Sequence, residues 1–122
     1  MITDTAKSLI AAYIVETFTR ANLGSGGNST SAAQLTLDVP LITGSGSSYG
    51  VSAVPVKSDD NVIDFKVVVQ GTNANLVART LREISIHDET SANNMFLRIP
   101  FDAIGPFSAS EEVEFFIAVE IE

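Results

Sequence analysis

The chain has 122 residues and no cysteine, and its 15 acidic and 7 basic side chains give a formal net charge of −8. This length suits a single domain with one core, and the lack of cysteine excludes disulfides and thiolate metal ligands. The acidic balance argues against a nucleic-acid partner, and the absence of any apolar run near the ~20 residues of a membrane helix argues against a membrane partner.

One amphipathic helix is predicted over residues 4–19, where apolar side chains recur at the spacing of a single helical stripe. Thr3, Asp4 or Thr5 can supply the N-cap oxygen. The stripe packs either on its own domain or on a neighbouring subunit, and both alternatives remain open. Its candidate subunit-contact residues are Leu9, Ile10, Tyr13, Ile14 and Phe18.

A Gly/Ser-rich stretch at 23–33 predicts a flexible arm or linker between an N-terminal helical segment, residues 1–22, and a β-domain, residues 34–122. Leu23 in this arm is a further candidate subunit contact. Deletion of the arm is expected to leave the β-domain folded and to weaken assembly. A second loose segment, 43–50, contributes the last candidate contact, Tyr49.

After residue 33 the apolar period changes from that of a helix to the two-residue alternation of β-strands. Pro55 indicates that the second strand lies at a sheet edge. One helix followed by about six short strands predicts a mainly β fold, an antiparallel β-sandwich or jelly-roll-like module with one N-terminal α-helix. The predicted strands lie at residues 34–39, 49–53, 62–70, 76–88, 95–101 and 112–122.

Glutamates follow one face of the last predicted strand, and only Phe116 interrupts them. Such a row is typical of a solvated sheet face or of a charged edge that prevents unwanted strand pairing. A binding stripe is the alternative interpretation.

The only histidine, His87, begins the polar stretch HDETSANN between two β-patterned runs. Short polar side chains of this kind favour turns, so the stretch predicts a β-hairpin loop. The competing hypothesis is a metal or acid–base site at His87, Asp88 and Glu89. One histidine beside two acids offers too few converging ligands, and no serine stands out as a nucleophile. We therefore predict no catalytic residue, no metal ligand and no cofactor, and expect that the protein is not an enzyme.

Two parts of the chain carry a recognisable pattern. The C-terminal half contains REISIHD (82–88), FLRIPFDAI (96–104) and VEFFIAVEI (113–121), and the N-terminus reads ITDTAKSLIAAYIV (2–15). The first set resembles the β-module of small bacteriophage virion structural proteins, and the second is similar to the opening of such proteins. Ser85 and Ala6 stand at positions where the family patterns have glycine.

The resemblance implies an architectural role in a virion, for a protein made in the host cytoplasm. The leading hypothesis is a capsid decoration (cement) protein that stabilises the assembled head through contacts between coat subunits. Its implied partners are other copies of itself, with a trimer expected, and the major capsid protein or other virion proteins. A tail or baseplate accessory protein is the alternative, and a carbohydrate-binding β-sandwich module that uses Tyr49 as its aromatic platform is a third hypothesis.

Overall fold

The computed structural model describes residues 1–28 and 31–122. This part of the chain contains one α-helix, a 3₁₀ turn at Gly46–Ser48 and six strands. The elements are α1 (Asp4–Thr17), β1 (Arg20–Gly24), β2 (Val51–Asp59), β3 (Val62–Gln70), β4 (Leu81–His87), β5 (Met95–Ile104) and β6 (Glu112–Glu120).

All six strands belong to one antiparallel sheet in the order β5-β4-β1-β2-β3-β6. Only two residue pairs, Arg20↔Ser52 and Ala21↔Val51, join β1 to β2, so two three-stranded halves meet at a narrow junction. The sheet curls into a half-barrel. The prediction of a mainly β fold with one N-terminal helix is confirmed. A sandwich or jelly roll is not confirmed, because the strands form one continuous curled sheet.

The hydrophobic core fills the concave side of this sheet. On β3 every second side chain is buried, from Ile63 to Val69, as the alternation predicts. Helix α1 packs against this side through Ala11 and Ile14. The two ends of the curled sheet approach each other where the rings of Phe101 on β5 and Phe115 on β6 lie 5.4 Å apart.

Helix α1 begins where the sequence predicts, because the Thr3 hydroxyl accepts a hydrogen bond from the Ala6 N–H at 3.1 Å. The helix ends at Thr17, so the predicted helical segment of residues 1–22 is wrong at its C-terminal end. Residues 20–24 form β1 instead, since their backbone pairs with β4 along its whole length and with β2 at its start. No helix of the described residues is long and apolar enough to cross a bilayer.

The predicted arm and the strand after it also differ from the structure. Leu23 and Gly24 belong to β1, and residues 29 and 30 of the arm lie outside the described residues. Residues 34–39 form no strand. The chain there returns beside β1, where the Ser25 N–H donates to the Val39 carbonyl and the Leu41 N–H to the Leu23 carbonyl. Deletion of 23–33 would therefore remove part of a central strand.

The strand expected at 49–53 is much too short, because β2 runs from Val51 to Asp59, and the other strands are predicted with errors at their ends. The strand expected at 76–88 begins only at Leu81, because residues 71–79 form turns in which the Arg79 N–H donates to the Leu76 carbonyl. Pro55 lies in the half of β2 beyond its two pairings with β1, so that side of the strand has no partner strand among the described residues. In the strand order β2 lies between β1 and β3, so the edge prediction is wrong for the strand as a whole and applies only to the half that contains Pro55.

Candidate functional site

A cluster of polar side chains is buried on one face of β4 and its neighbouring strands. Alternation places Glu83, Ser85 and His87 on the same face of β4, opposite the core-facing Ile84 and Ile86. The register sets Asn22 of β1 and Arg98 of β5 on either side of Ser85. Residues 25–28 and 31–50 cover this face, and we call them the covering segment. We call the five polar residues the buried polar cluster.

Glu83 links the covering segment to the sheet through hydrogen bonds. Its Oε1 accepts hydrogen bonds from the Asp38 N–H and from Arg98 Nε, at 2.9 and 2.8 Å. Its Oε2 accepts the N–H groups of Gly26 and Val39, both at 2.9 Å. A side chain at position 26 would collide with this carboxylate, so glycine allows the close approach.

Arg98 connects the same carboxylate to a second acid. Its Nε–H donates to Glu83, its Nη2 pairs with Asp38 Oδ2 at 3.1 Å, and its Nη1 donates to the Asn28 carbonyl at 2.9 Å. The side chains of Arg98 and Glu83 are completely buried. A buried ion pair of this kind is tolerable because each charge is also hydrogen-bonded.

His87 holds the hairpin loop and the second loose segment together. Its Nδ1 lies 2.9 Å from the Asn93 carbonyl oxygen, which only accepts, so Nδ1 carries the proton and donates it. Nε2 is then the acceptor for the Ser85 hydroxyl at 2.6 Å. The Asn93 side chain in turn accepts from the Gly46 N–H and donates to the Gly44 carbonyl.

Burial keeps His87 neutral. Loss of solvation is the largest influence and lowers the pKa of His87 below its ordinary 6.5, against the opposing effects of the Asn93 carbonyl and the Asp88 charge. Burial also acts to raise the pKa of Asp88, but hydrogen bonds from Asn94 and Thr90 outweigh it and leave the pKa lowered.

A serine hydroxyl donating to a histidine nitrogen is the contact made by a nucleophile and its base. Here, however, Ser85 and His87 have no exposed surface, and the ring of Tyr49 packs edge-on against His87 with centroids 4.8 Å apart. A substrate has no path to the hydroxyl in this conformation. No group of three or more His, Asp or Glu side chains in the described residues is arranged to hold a metal ion.

The predicted hairpin is confirmed at the same place. Strands β4 and β5 pair antiparallel, and the Asp88 N–H donates to the Asn94 carbonyl at the start of the loop. The Asp88 carboxylate accepts from Thr90 and Asn94, as polar turn residues do.

Three of the predicted contact residues lie together on the solvent side of α1. Leu9 and Tyr13 are 68% and 62% exposed, and Ile10 is 40% exposed. They point away from the sheet because Ala11 and Ile14 occupy the opposite side of the helix. We call Leu9, Ile10 and Tyr13 the outer helix face.

The other four predicted contact residues serve the interior of the same chain. Ile14 is in the core, and the Phe18 ring stacks on Phe96 with centroids 4.8 Å apart. Leu23 is fully buried in β1. Tyr49 is buried against His87 although its Gly/Ser-rich surroundings predict a loose loop, so the placement of Leu23 and Tyr49 at an exposed contact is wrong.

A second exposed apolar region, which we call the sheet groove, lies on the convex side of β2, β3 and β6. Its volume is about 390 Å³. The register aligns Val54, Lys66 and Phe116 in one row across the strands and Val56, Asp64 and Ala118 in the next. Its walls are the exposed Val54 and Val56 on β2 and the 72% exposed Phe116, with Ala118, on β6.

The sequence contains a signal for this groove that the strand predictions did not use. Valine occupies both odd and even positions between residues 51 and 56, so β2 is apolar on both faces. Phe116 interrupts the glutamates of β6. Where the two faces of a strand are both apolar, the solvent side is a candidate contact surface.

The outer helix face and the sheet groove lie on opposite sides of the molecule, because α1 packs inside the curl and the groove is outside it. Comparisons with protein-family models, curated proteins and solved structures found no match for this chain. The functional conclusion therefore depends on these surfaces and on the closed polar cluster.

Proposed function

We propose that this chain is a structural protein of a bacteriophage particle, in first place a capsid decoration (cement) protein that stabilises the assembled head by contacts between coat subunits. The observation that carries the proposal is the outer helix face. Helix α1 is apolar on both sides, and one side already packs on the sheet. A helix of this kind is suited to packing on two surfaces at once.

The buried polar cluster supports a mechanical role for the protein. Glu83, Arg98 and His87 join distant parts of the chain and leave no open cleft around Ser85. We propose that the protein is not an enzyme and that the curled sheet works as a stiff, sandwich-like slab. Its two halves share one core, so force applied at one surface is transmitted to the other.

The partners that we propose are further copies of this chain, as a trimer, and the major capsid protein or another virion protein. Repeated copies around a symmetry axis can bury the outer helix face against each other. The resemblance of residues 2–15, 82–88, 96–104 and 113–121 to small phage virion proteins supports the same assignment.

The oligomer contact can be tested by replacing Leu9 and Tyr13 together with serine. Because both side chains are exposed, we expect the melting temperature to stay within about 3 °C of the wild type. We expect the mass measured by size-exclusion chromatography with light scattering to fall from oligomer to monomer. Leu35→Ser is the matched control, since Leu35 is 81% exposed on a loop. An unchanged mass of the double variant contradicts an oligomer contact through α1.

Cryo-electron microscopy of the native particle, with an antibody fragment against this chain as a marker, tests the location. Density on the head, at joins between coat subunits, is the expected result. Density on the tail or baseplate would establish the accessory role instead. Absence of the chain from purified particles would contradict both structural roles.

The carbohydrate-binding alternative loses its main support in the structure. Tyr49, its expected aromatic platform, is only 7% exposed and packs against His87. Sugar platforms need an aromatic face that is open to solvent. We therefore retain only the two virion roles.

A further inference from the structure

The sheet groove is wide enough to receive one row of side chains from an α-helix. Strand β3 forms the floor with Asp64 and Lys66, while β2 and β6 form the walls. Neighbouring strands lie about 4.8 Å apart, so the backbones of the two wall strands are roughly 10 Å apart. An α-helix with its side chains is about 10–12 Å in diameter, so it would rest on top of the walls. It can lie along β3 with one row of its side chains between Val54 and Phe116.

The groove is apolar at its walls and acidic around them. Glu112, Glu114 and Glu120 are exposed on the same face of β6 as Phe116. Lys66, the base of the groove, is 3.8 Å from Glu114 and lies over the Phe116 ring at 6.0 Å. The Asp64 carboxylate makes no hydrogen bond or ion pair with the described residues. The groove thus offers an excess of negative charge to an occupant.

This charge argues against a second copy as the occupant. The whole chain has a net charge of −8, and α1 carries two exposed acids, Asp4 and Glu16, against one partly exposed base, Lys7. Docking of one copy's helix would set these acids near Asp64 and the β6 glutamates. Like charges at a contact are unfavourable, whereas lysine or arginine on the occupant would be favoured.

We propose that the sheet groove binds a basic amphipathic α-helix of another protein. The apolar stripe of that helix packs between the Val54/Val56 wall and the Phe116/Ala118 wall. Its lysine or arginine side chains pair with Asp64 and with the glutamates of β6. The groove is on the opposite side of the molecule from the outer helix face, so this inference goes beyond the proposed virion role and does not depend on it.

The first test is a selection from a displayed library of helical peptides whose surface positions are randomised. Full-length wild-type chain is the bait, and the Phe116→Ser chain removes peptides that bind elsewhere. The expected recovered peptides have a net positive charge and apolar residues at i, i+3 or i+4, and i+7. The proposal is overturned if the recovered peptides are no richer in lysine and arginine than the starting library. Equal recovery on the wild-type and Phe116→Ser chains would also overturn it.

The second test measures the affinity of one recovered peptide by fluorescence anisotropy. We expect Phe116→Ser to weaken binding at least tenfold. Asp64→Asn keeps the shape of the floor and removes its charge, so we expect weakening of several-fold and a smaller dependence of the affinity on salt. The control Leu35→Ser should leave affinity unchanged, and circular dichroism should show all three variants folded. Asp64→Asn with wild-type affinity and salt dependence would contradict the charge selection.

Sedimentation of the chain without peptide separates this proposal from self-association. We expect Phe116→Ser to leave the oligomer mass unchanged. Loss of a concentration-dependent oligomer in this variant would assign the groove to a second copy and overturn the basic-helix proposal. The proposed location on a virion can be wrong while the groove proposal holds, because none of these measurements involves a virion.

Discussion

Glu83→Gln is expected to lower the free energy of unfolding by about 3 kcal/mol, at the lower end of the usual cost of breaking a buried ion pair, because Asp38 still pairs with Arg98. Glutamine keeps the size of the side chain but supplies only one acceptor oxygen. The carboxylate of Glu83 accepts from Arg98 and from the N–H groups of Gly26, Asp38 and Val39. The NH2 group of the glutamine only donates, so it would face one of these N–H donors without forming a hydrogen bond. Urea denaturation monitored by circular dichroism measures the loss.

The matched control is Glu114→Gln. Glu114 also pairs with a base, Lys66, but at 3.8 Å and with both side chains about half exposed. Exposed pairs of this kind contribute about 0–1 kcal/mol, so we expect little change. Equal losses in the two variants would show that burial of Glu83 has no special energetic consequence.

A double variant separates the buried charge from the rest of the effect. If the cost of Glu83→Gln arises mainly from the ion pair that the Arg98 guanidinium loses, adding Arg98→Met should cost less than it does in the wild-type background. Amide hydrogen exchange adds a local readout. We expect faster exchange at Gly26 and Val39, because their N–H groups lose the carboxylate that holds the covering segment.

The sequence predicts those parts of the fold that depend on local pattern. Strand β3 and the hairpin loop after His87 follow from alternation and turn chemistry. The helix cap is predicted as one of Thr3, Asp4 and Thr5, and the structure shows Thr3 in this role. Strand β1 does not follow, because its first three residues fall in the predicted helical segment and its last two in the Gly/Ser-rich arm, and five residues are too few to show an alternation. Its strand conformation depends on pairing with β4, whose residues lie 59 to 67 positions later in the chain, and on two residue pairs with β2.

Local sequence pattern does not predict the buried polar cluster either, because its contacts join residues that are far apart in the chain. Glu83 bonds to Gly26 across 57 sequence positions and to Asp38 across 45. A Gly/Ser-rich stretch and an isolated glutamate, taken separately, predict a loose loop and a solvated charge. Arg98 within an apolar strand is the one local sign that a buried partner exists.

The candidate contact surface is predicted only in part because α1 is apolar on more than one side. Spacing identifies Leu9, Ile10, Tyr13 and Ile14 as one set, but it does not decide which of them face the sheet. The small side chain of Ala11 decides this, because it allows the helix to approach the concave face closely. Ile14 packs in the core on the same side of the helix as Ala11, whereas Leu9 and Tyr13 are exposed to solvent.

His87→Ala is expected to lower the free energy of unfolding by about 3 kcal/mol at pH 7.5. The substitution leaves a cavity and leaves the Ser85 hydroxyl and the Asn93 carbonyl without their partner. It should also loosen the contact between the hairpin loop and residues 44–46, because Asn93 bonds to Gly44 and Gly46. Chemical denaturation at several pH values measures both the loss and its dependence on protonation.

The pH dependence has a definite sign. The pKa of His87 is lowered in the folded chain, so between that pKa and the ordinary 6.5 the unfolded chain binds a proton that the folded chain does not. Stability is therefore complete above pH 6.5 and declines as the pH falls below it, until the folded chain also takes up the proton. Asp88, whose pKa is lowered from 3.8, contributes stability that is lost only at lower pH.

His87→Ala removes this titration, so the difference in stability between wild type and variant should shrink from pH 7 to pH 5. Ser85→Ala is the matched control. It removes one hydrogen bond, at a cost of about 1 kcal/mol, but leaves His87 buried, and burial is the main cause of the shift. Ser85→Ala should therefore keep most of the decline below pH 6.5. A decline that is equally steep in His87→Ala would show that other groups produce it and that His87 does not link the covering segment to pH.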